Sequence, residues 1–153
     1  MRLTSYTDYA LRVLIYLALQ EDRRSSVSEI AARFHISRNH LVKVIHGLGK
    51  GGFLRSHRGR NGGIELAGPP EQVNLGRVVR YTEGPLEVAE CFRSDNRCII
   101  SGSCVLADVL QEACDGFLDV LDRFTLADLL ERRRARLIRL LGLNLENASH
   151  LRL

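Results

Sequence analysis

The chain has 153 residues, 22 Lys plus Arg against 18 Asp plus Glu, a formal net charge of +4 and 45% hydrophobic residues, which describes one ordinary soluble domain or two very small ones. Such a composition excludes a disordered chain, and a membrane span is excluded too: the apolar stretch Leu11 to Leu19 is interrupted by Arg12 and falls far short of the roughly 20 residues a bilayer requires. The expected compartment is the cytoplasm, where a core of this size forms without disulfide staples, so the four cysteines need another explanation.

In chain order, apolar residues at Leu11, Leu14, Ile15, Ala18 and Leu19 recur at the helical period and predict a first helix. It follows a Thr/Ser-rich start in which Ser5 and Asp8 have capping-box spacing. After a polar break from Glu21 to Ser26, Ser28 is placed to cap a short helix through Phe34 with Ile30 and Ala31 inward. A tight connection, His35-Ile36-Ser37, leads to a third helix capped by Ser37. Its apolar face is Leu41, Val44, Ile45 and Leu48, and Arg38, Asn39, Val42, Lys43 and His46 turn away from that face. A short helix, a three-residue turn and a longer helix with a polar, basic outer face have the layout of a helix-turn-helix.

Gly51-Gly52 ends the third helix. Two short strand-like runs, Phe53 to His57 and Ile64 to Leu66, flank Arg58-Gly59-Arg60-Asn61-Gly62-Gly63, whose glycines and asparagine suit a hairpin. This reads as a wing, which can bring its arginines to a minor groove while the third helix lies in the major groove.

The net charge is distributed unevenly along these elements. Residues 1–63 carry a balance of +7 and residues 64–153 a balance of −3. No carboxylate occurs between Glu29 and Glu65, a window that holds seven Lys and Arg and four of the five histidines. So pure a basic region, laid over a winged helix-turn-helix, is the electrostatic footprint expected of a DNA-binding surface.

Pro69-Pro70 break the chain, after which Asn74 is placed to cap an amphipathic helix with Leu75, Val78 and Val79 that ends near Gly84-Pro85. Cys91, Cys98 and Cys104 then fall within 14 residues of a Ser-, Asn-, Asp- and Gly-rich loop. Such a loop can curl so that three thiolates converge on one centre, as a straight helix or strand could not. A disulfide is disfavoured by compartment and by the odd count, and structural zinc by the absence of a Cys-x2-4-Cys pair. An iron-sulfur cluster with three Cys ligands and one other suits the count, with zinc held for structure as the competing reading.

From Val105 a long helix is predicted, with a seam of Leu106, Leu110, Ala113, Phe117, Val120 and Phe124 suited to a partner helix. Its other faces carry Asp108, Glu112, Asp115, Asp119 and Asp122, and Cys114 reads as a small core residue. Dimerisation through this helix would set two reading heads on adjacent turns of a pseudo-palindromic site. Thr125 and Asp128 form another capping box, opening a helix to about Leu141 in which Arg132-Arg133-Arg134 is a solvated run. The expected fold is thus mainly α with a small β-hairpin wing. It divides into a winged helix-turn-helix at 1–68, a connecting helix and cluster-binding loop at 69–104, and a dimerisation helix with a C-terminal helix at 105–153.

Taken together, Met1-Arg2-Leu3-Thr4, Thr7-Asp8-Tyr9-Ala10-Leu11-Arg12, the wing, the three-cysteine loop and Phe124-Thr125-Leu126-Ala127-Asp128-Leu129 resemble the winged-helix iron-sulfur transcription regulators over about residues 1–141. The resemblance is strongest to the nitric oxide-sensing repressors of that family. It implies a homodimer, not an enzyme, that binds operator DNA with its cluster intact and releases it when nitric oxide attacks. It further implies Cys91, Cys98 and Cys104 as ligands of a 4Fe-4S cluster, or of a 2Fe-2S cluster, with Asp8 of the partner subunit as the fourth. The competing reading of Asp8 is an i,i+4 pair with Arg12. Ala107 stands where another branch has a histidine ligand, which disfavours that branch, whereas the gap of six residues between Cys91 and Cys98 keeps an iron-responsive branch open. The expected DNA contacts are Arg38, Asn39, His40 and Lys43 from the third helix and Arg58 and Arg60 from the wing.

Overall fold

The computed structural model describes residues 2–20, 23–60, 62–131 and 133–143. It is mainly helical with one two-stranded antiparallel hairpin, as the periodicities predict. Helix α1 (Ser5–Gln20) is the central element, packing on α3 (Arg38–Lys50), α4 (Leu75–Glu83), α6 (Leu126–Glu131) and strand β2 (Gly63–Leu66). It can do so because Ala10, Val13, Leu14, Tyr16 and Leu17 cover more than one face of the helix and are all buried. Helix α2 (Val27–Phe34) adds Ile30, α3 adds Leu41, Val44, Ile45 and Leu48, and the wing adds Phe53, Leu54 and Ile64 to the same core. Burying each such aliphatic side chain contributes about 1.5–3 kcal/mol, so α1 is the hub on which the reading head and the later helices are both built.

Two caps differ from the sequence expectation. Helix α1 is capped by Thr4, whose Oγ1 accepts from the Thr7 N–H at 3.3 Å, and the Asp8 carboxylate of the expected Ser5/Asp8 box turns to Arg12 instead. Helix α2 begins two residues earlier than Ser28 implies: Ser26 is the N-cap, its Oγ accepting from the Glu29 N–H at 3.1 Å. Ser37 occupies the N-cap position of α3 as expected, but its side chain makes no capping hydrogen bond. His35 closes α2 in the left-handed conformation, φ 53°, and supplies the sharp change of direction between α2 and α3.

Strand β1 (Leu54–His57) pairs with β2 in the register Leu54↔Leu66 to His57↔Gly63. The polar break before α2 contributes more than a connection. Ser25 exchanges both backbone hydrogen bonds with Ile64, at 3.0 and 2.8 Å, and thereby fastens the wing to the body.

Helix α4 is capped by Asn74, whose Oδ1 accepts from the Arg77 N–H at 2.9 Å. Helix α5 (Val105–Asp122) packs on α4, and Cys114 is buried, as its helical neighbours predict. The C-terminal segment expected to be one helix is two, α6 and α7 (Arg134–Leu140). The Thr125/Asp128 capping box is present in both directions at the start of α6: Thr125 N–H donates to Asp128 at 2.6 Å, and Asp128 N–H to Thr125 Oγ1 at 3.4 Å. Of the arginine run, Arg133 is exposed, Arg134 is partly buried and Arg132 lies outside the described residues, as do Asn61 of the wing and the tail from residue 144.

Candidate nucleic-acid interface and cysteine loop

The exposed side of α3 carries Arg38, Asn39, His40, Val42, Lys43 and His46, opposite the buried face. Arg38 is held: its Nε donates to Ser28 Oγ at 3.3 Å, so Ser28 orients a residue of the outer face instead of capping α2. Arg58 and Arg60 stand exposed at the wing tip, and neither forms an ion pair with a carboxylate among the described residues. Glu65, on the neighbouring strand, is engaged by Arg24 Nε at 3.1 Å and His57 Nε2 at 2.7 Å. These contacts, the Arg24 hydrogen bond first, hold the Glu65 carboxyl below the usual carboxylate range. They tie the base of the wing to the segment before α2, leaving the tip arginines their full positive field.

The three loop cysteines are partly buried, and none is in a disulfide. Cys91 lies in a 3-10 turn, Glu90–Phe92, and Cys104 is the N-cap residue of α5. The Arg97 N–H donates to Glu90 Oε1 at 3.2 Å, drawing together the residues beside Cys98 and Cys91. The Cys98 N–H donates to Asn96 Oδ1 at 2.9 Å, and its carbonyl accepts from Ser101 Oγ at 2.9 Å. Among the described residues no three His, Cys, Asp or Glu side chains form a group that could hold a metal ion. The donor chemistry nonetheless fits an iron-sulfur cluster: three uncrosslinked soft thiols sit on a folded-back loop whose backbone is fixed by its own polar side chains. Asp8 makes a bidentate pair with Arg12, at 3.1 and 2.8 Å, with both side chains nearly half exposed.

The predicted seam of α5 is divided between two roles. Leu110 and Phe117 are partly covered by the chain itself, whereas Leu106 is 62% exposed and Val120 and Phe124 are also exposed. Val105 and Val109, outside the predicted seam, join this exposed apolar strip, and Ile99 and Ile100 stand out from the loop before it. The C-terminal end of α5 is stapled to α4: Arg80 binds Asp122 through two 2.6 Å bonds, and the Leu75 N–H donates to the Phe124 carbonyl at 3.0 Å. Arg80 holds the Asp122 carboxyl below its ordinary range.

A winged helix-turn-helix followed by a thiol-bearing loop and a long helix with an apolar outer strip defines a class, the winged-helix transcriptional regulators. The Rrf2 family model, described as an iron-dependent transcriptional regulator, matches residues 3–132, and the chain belongs to that family. It is 53% identical over 132 residues to the HTH-type transcriptional regulator NsrR of Halalkalibacterium halodurans, covering 85% of this chain and 90% of that protein. Among solved structures it is similar to T. potens IscR, with a TM-score of 0.69 and 27% identity over 86% of this chain and 87% of that one. It is also similar to the oxidised form of Staphylococcus aureus CymR, with a TM-score of 0.70 and 28% identity over 86% and 97% of the two chains. The resemblance noted from the motifs is thus to the family the chain belongs to.

Proposed function

We propose that the protein is a cytoplasmic, homodimeric repressor of the NsrR kind, which binds operator DNA with an iron-sulfur cluster in place and lets go when nitric oxide reaches the cluster. Residues 1–68 read DNA, 69–104 carry the sensor and 105–153 dimerise. The observation that carries the reading is the joining of a basic reading head, with no carboxylate between Glu29 and Glu65, to three uncrosslinked thiols through a single helix, α4. Relatives named NsrR, about half identical over most of the chain, support it.

Cys91, Cys98 and Cys104 would hold the cluster, expected to be 4Fe-4S with 2Fe-2S as the alternative, and Asp8 of the partner subunit would supply the fourth ligand. When bound, the cluster supplies iron that nitric oxide attacks. A carboxylate is a harder donor than a thiolate, so a bond from Asp8 to the cluster would be more exchangeable than those from the three cysteines. Asp8 pairs with Arg12 on α1, the helix on which the helix-turn-helix packs, so an Asp8 held by the partner's loop would tether that helix, and an Asp8 paired with Arg12 would not. On DNA, Arg38, Asn39, His40 and Lys43 enter the major groove and Arg58 and Arg60 reach the minor groove or the backbone. A second reading, regulation by iron status, is favoured by the description of the family as iron-dependent.

The direct test is the absorption spectrum and the iron and sulfide content of anaerobically purified protein. A brown preparation with both elements is expected. A colourless one containing zinc would replace this reading by a constitutive, zinc-stabilised DNA-binding protein.

A further inference from the structure

Three consecutive residues in the last turn of α4 each bind a different part of the reading head. The Tyr81 hydroxyl donates to the Gly47 carbonyl of α3 at 2.9 Å. Its ring lies edge-on to Phe53 at 5.5 Å, against Gly51, where a Cβ would stand 2.7 Å from the ring. Thr82 Oγ1 accepts from the Thr7 hydroxyl at 2.8 Å, and Glu83 Oε1 accepts from the Thr4 N–H at 2.7 Å and the Thr4 hydroxyl at 3.0 Å. Gly84 then ends the helix with φ 70°, and the chain runs directly into the cysteine loop. Asn74 and Leu75 join the start of α4 to the end of α5, and Arg80, in the same last turn as Tyr81, binds Asp122 of α5.

We propose that Tyr81, Thr82 and Glu83 are positioning residues that relay the state of the cysteine loop to the recognition helix α3 and to the Asp8 end of α1. This inference rests on the regulator reading above. A shift in a loop reaches a distant element only through a rigid body bound to both, and α4 is the helix from which the loop departs and onto which α1 and α3 are hydrogen-bonded. Tyr81 is 45% exposed, so its place is not explained by burial of its ring; the part of it that reaches a specific partner is the hydroxyl on Gly47. Thr4 and Glu83 are likewise joined on an exposed part of the surface. The backbone of α3 is gripped near its C-terminal end, so a small rotation of the last turn of α4 swings the N-terminal residues Arg38 to Lys43 by more than it moves Gly47.

The test uses the full-length, cluster-loaded dimer and a duplex that the protein itself enriches from a random pool. Affinity is measured before and after stoichiometric nitric oxide for the unaltered protein, Tyr81→Phe and Thr82→Val. The relay predicts that the ratio of the two affinities falls about fivefold in Tyr81→Phe, the effect of one lost hydrogen bond, while the spectrum of the loaded protein is unchanged. Thr82→Val, which keeps the shape of the side chain, is expected to lower the ratio in the same sense. A ratio well above one in the unaltered protein that is preserved in both variants overturns the relay. So does an equal loss of affinity before and after the signal, the signature of a merely structural role. A ratio of one in the unaltered protein overturns the regulator reading itself, and the relay with it.

Discussion

Asp8 and Arg12 stand one helical turn apart on α1 with both side chains nearly half in solvent, so their pair contributes only a few tenths of a kcal/mol. Asp8→Ala is therefore expected to move the melting temperature of the protein by no more than about 1–2 °C. The same substitution is expected to change the visible spectrum and the lability of the loaded cluster. A spectrum unaltered by Asp8→Ala would remove the residue from the ligand set. Glu65 behaves differently with pH. Its folded-state pKa is lowered by Arg24 and His57, so the stability it contributes is fully present above the ordinary carboxylate range and is lost as pH falls through the lowered value. Between pH 6 and pH 3 the unaltered protein should lose more thermal stability than Glu65→Gln, as followed by circular dichroism melting; equal losses would show that the Arg24 and His57 contacts add nothing. The Asp8 pair is legible in the sequence because its spacing is four. The Arg24, His57 and Glu65 group is not, because Arg24 and Glu65 are 41 positions apart and only the folding of the wing brings them together.

Helical periodicity places α1 to α5, and the differences from it fall at helix ends and in the C-terminal segment, which is two helices where one is expected. Ser26 and Ser28 are both competent caps, but only Ser26 has an acidic residue three positions on, Glu29, which is the capping-box spacing. The pairing of Ser25 with Ile64, directly before it, agrees with a helix that begins there. Ser26→Ala is expected to cost about 1 kcal/mol, or about 2–4 °C in melting temperature, whereas Ser28→Ala leaves that cap in place and should act on Arg38 and DNA affinity instead. The reverse order of thermal effects would return the cap to Ser28. The split between α6 and α7 escaped the sequence because neither glycine nor proline marks it. Along α5 a heptad pattern reports which residues are apolar, but the surface that α4 already covers can be known only from the fold.

Over the whole molecule, the separation of charge into a basic reading head and an acidic remainder was legible directly from the sequence, and in a dimer it doubles. The cysteine loop was legible as a set of donors. Its proposed fourth ligand, Asp8 of the partner subunit, follows from the family resemblance alone, since no spacing within one chain points to it. The exposed strip of Val105, Leu106, Val109, Val120 and Phe124 is the surface expected to hold two copies together. Val109→Glu should leave the secondary structure intact, shift the protein to a monomer by light scattering and weaken operator binding. A dimer of undiminished affinity would place the interface elsewhere.

Whether the loop controls the reading head is decided by operator binding of the anaerobic, cluster-loaded protein before and after stoichiometric nitric oxide. Tight binding is expected before the signal and a fall of at least about tenfold after it, equivalent to roughly 1.4 kcal/mol of coupling between the loop and the reading head. An affinity that nitric oxide leaves unchanged would show that the loop does not govern DNA binding in this way.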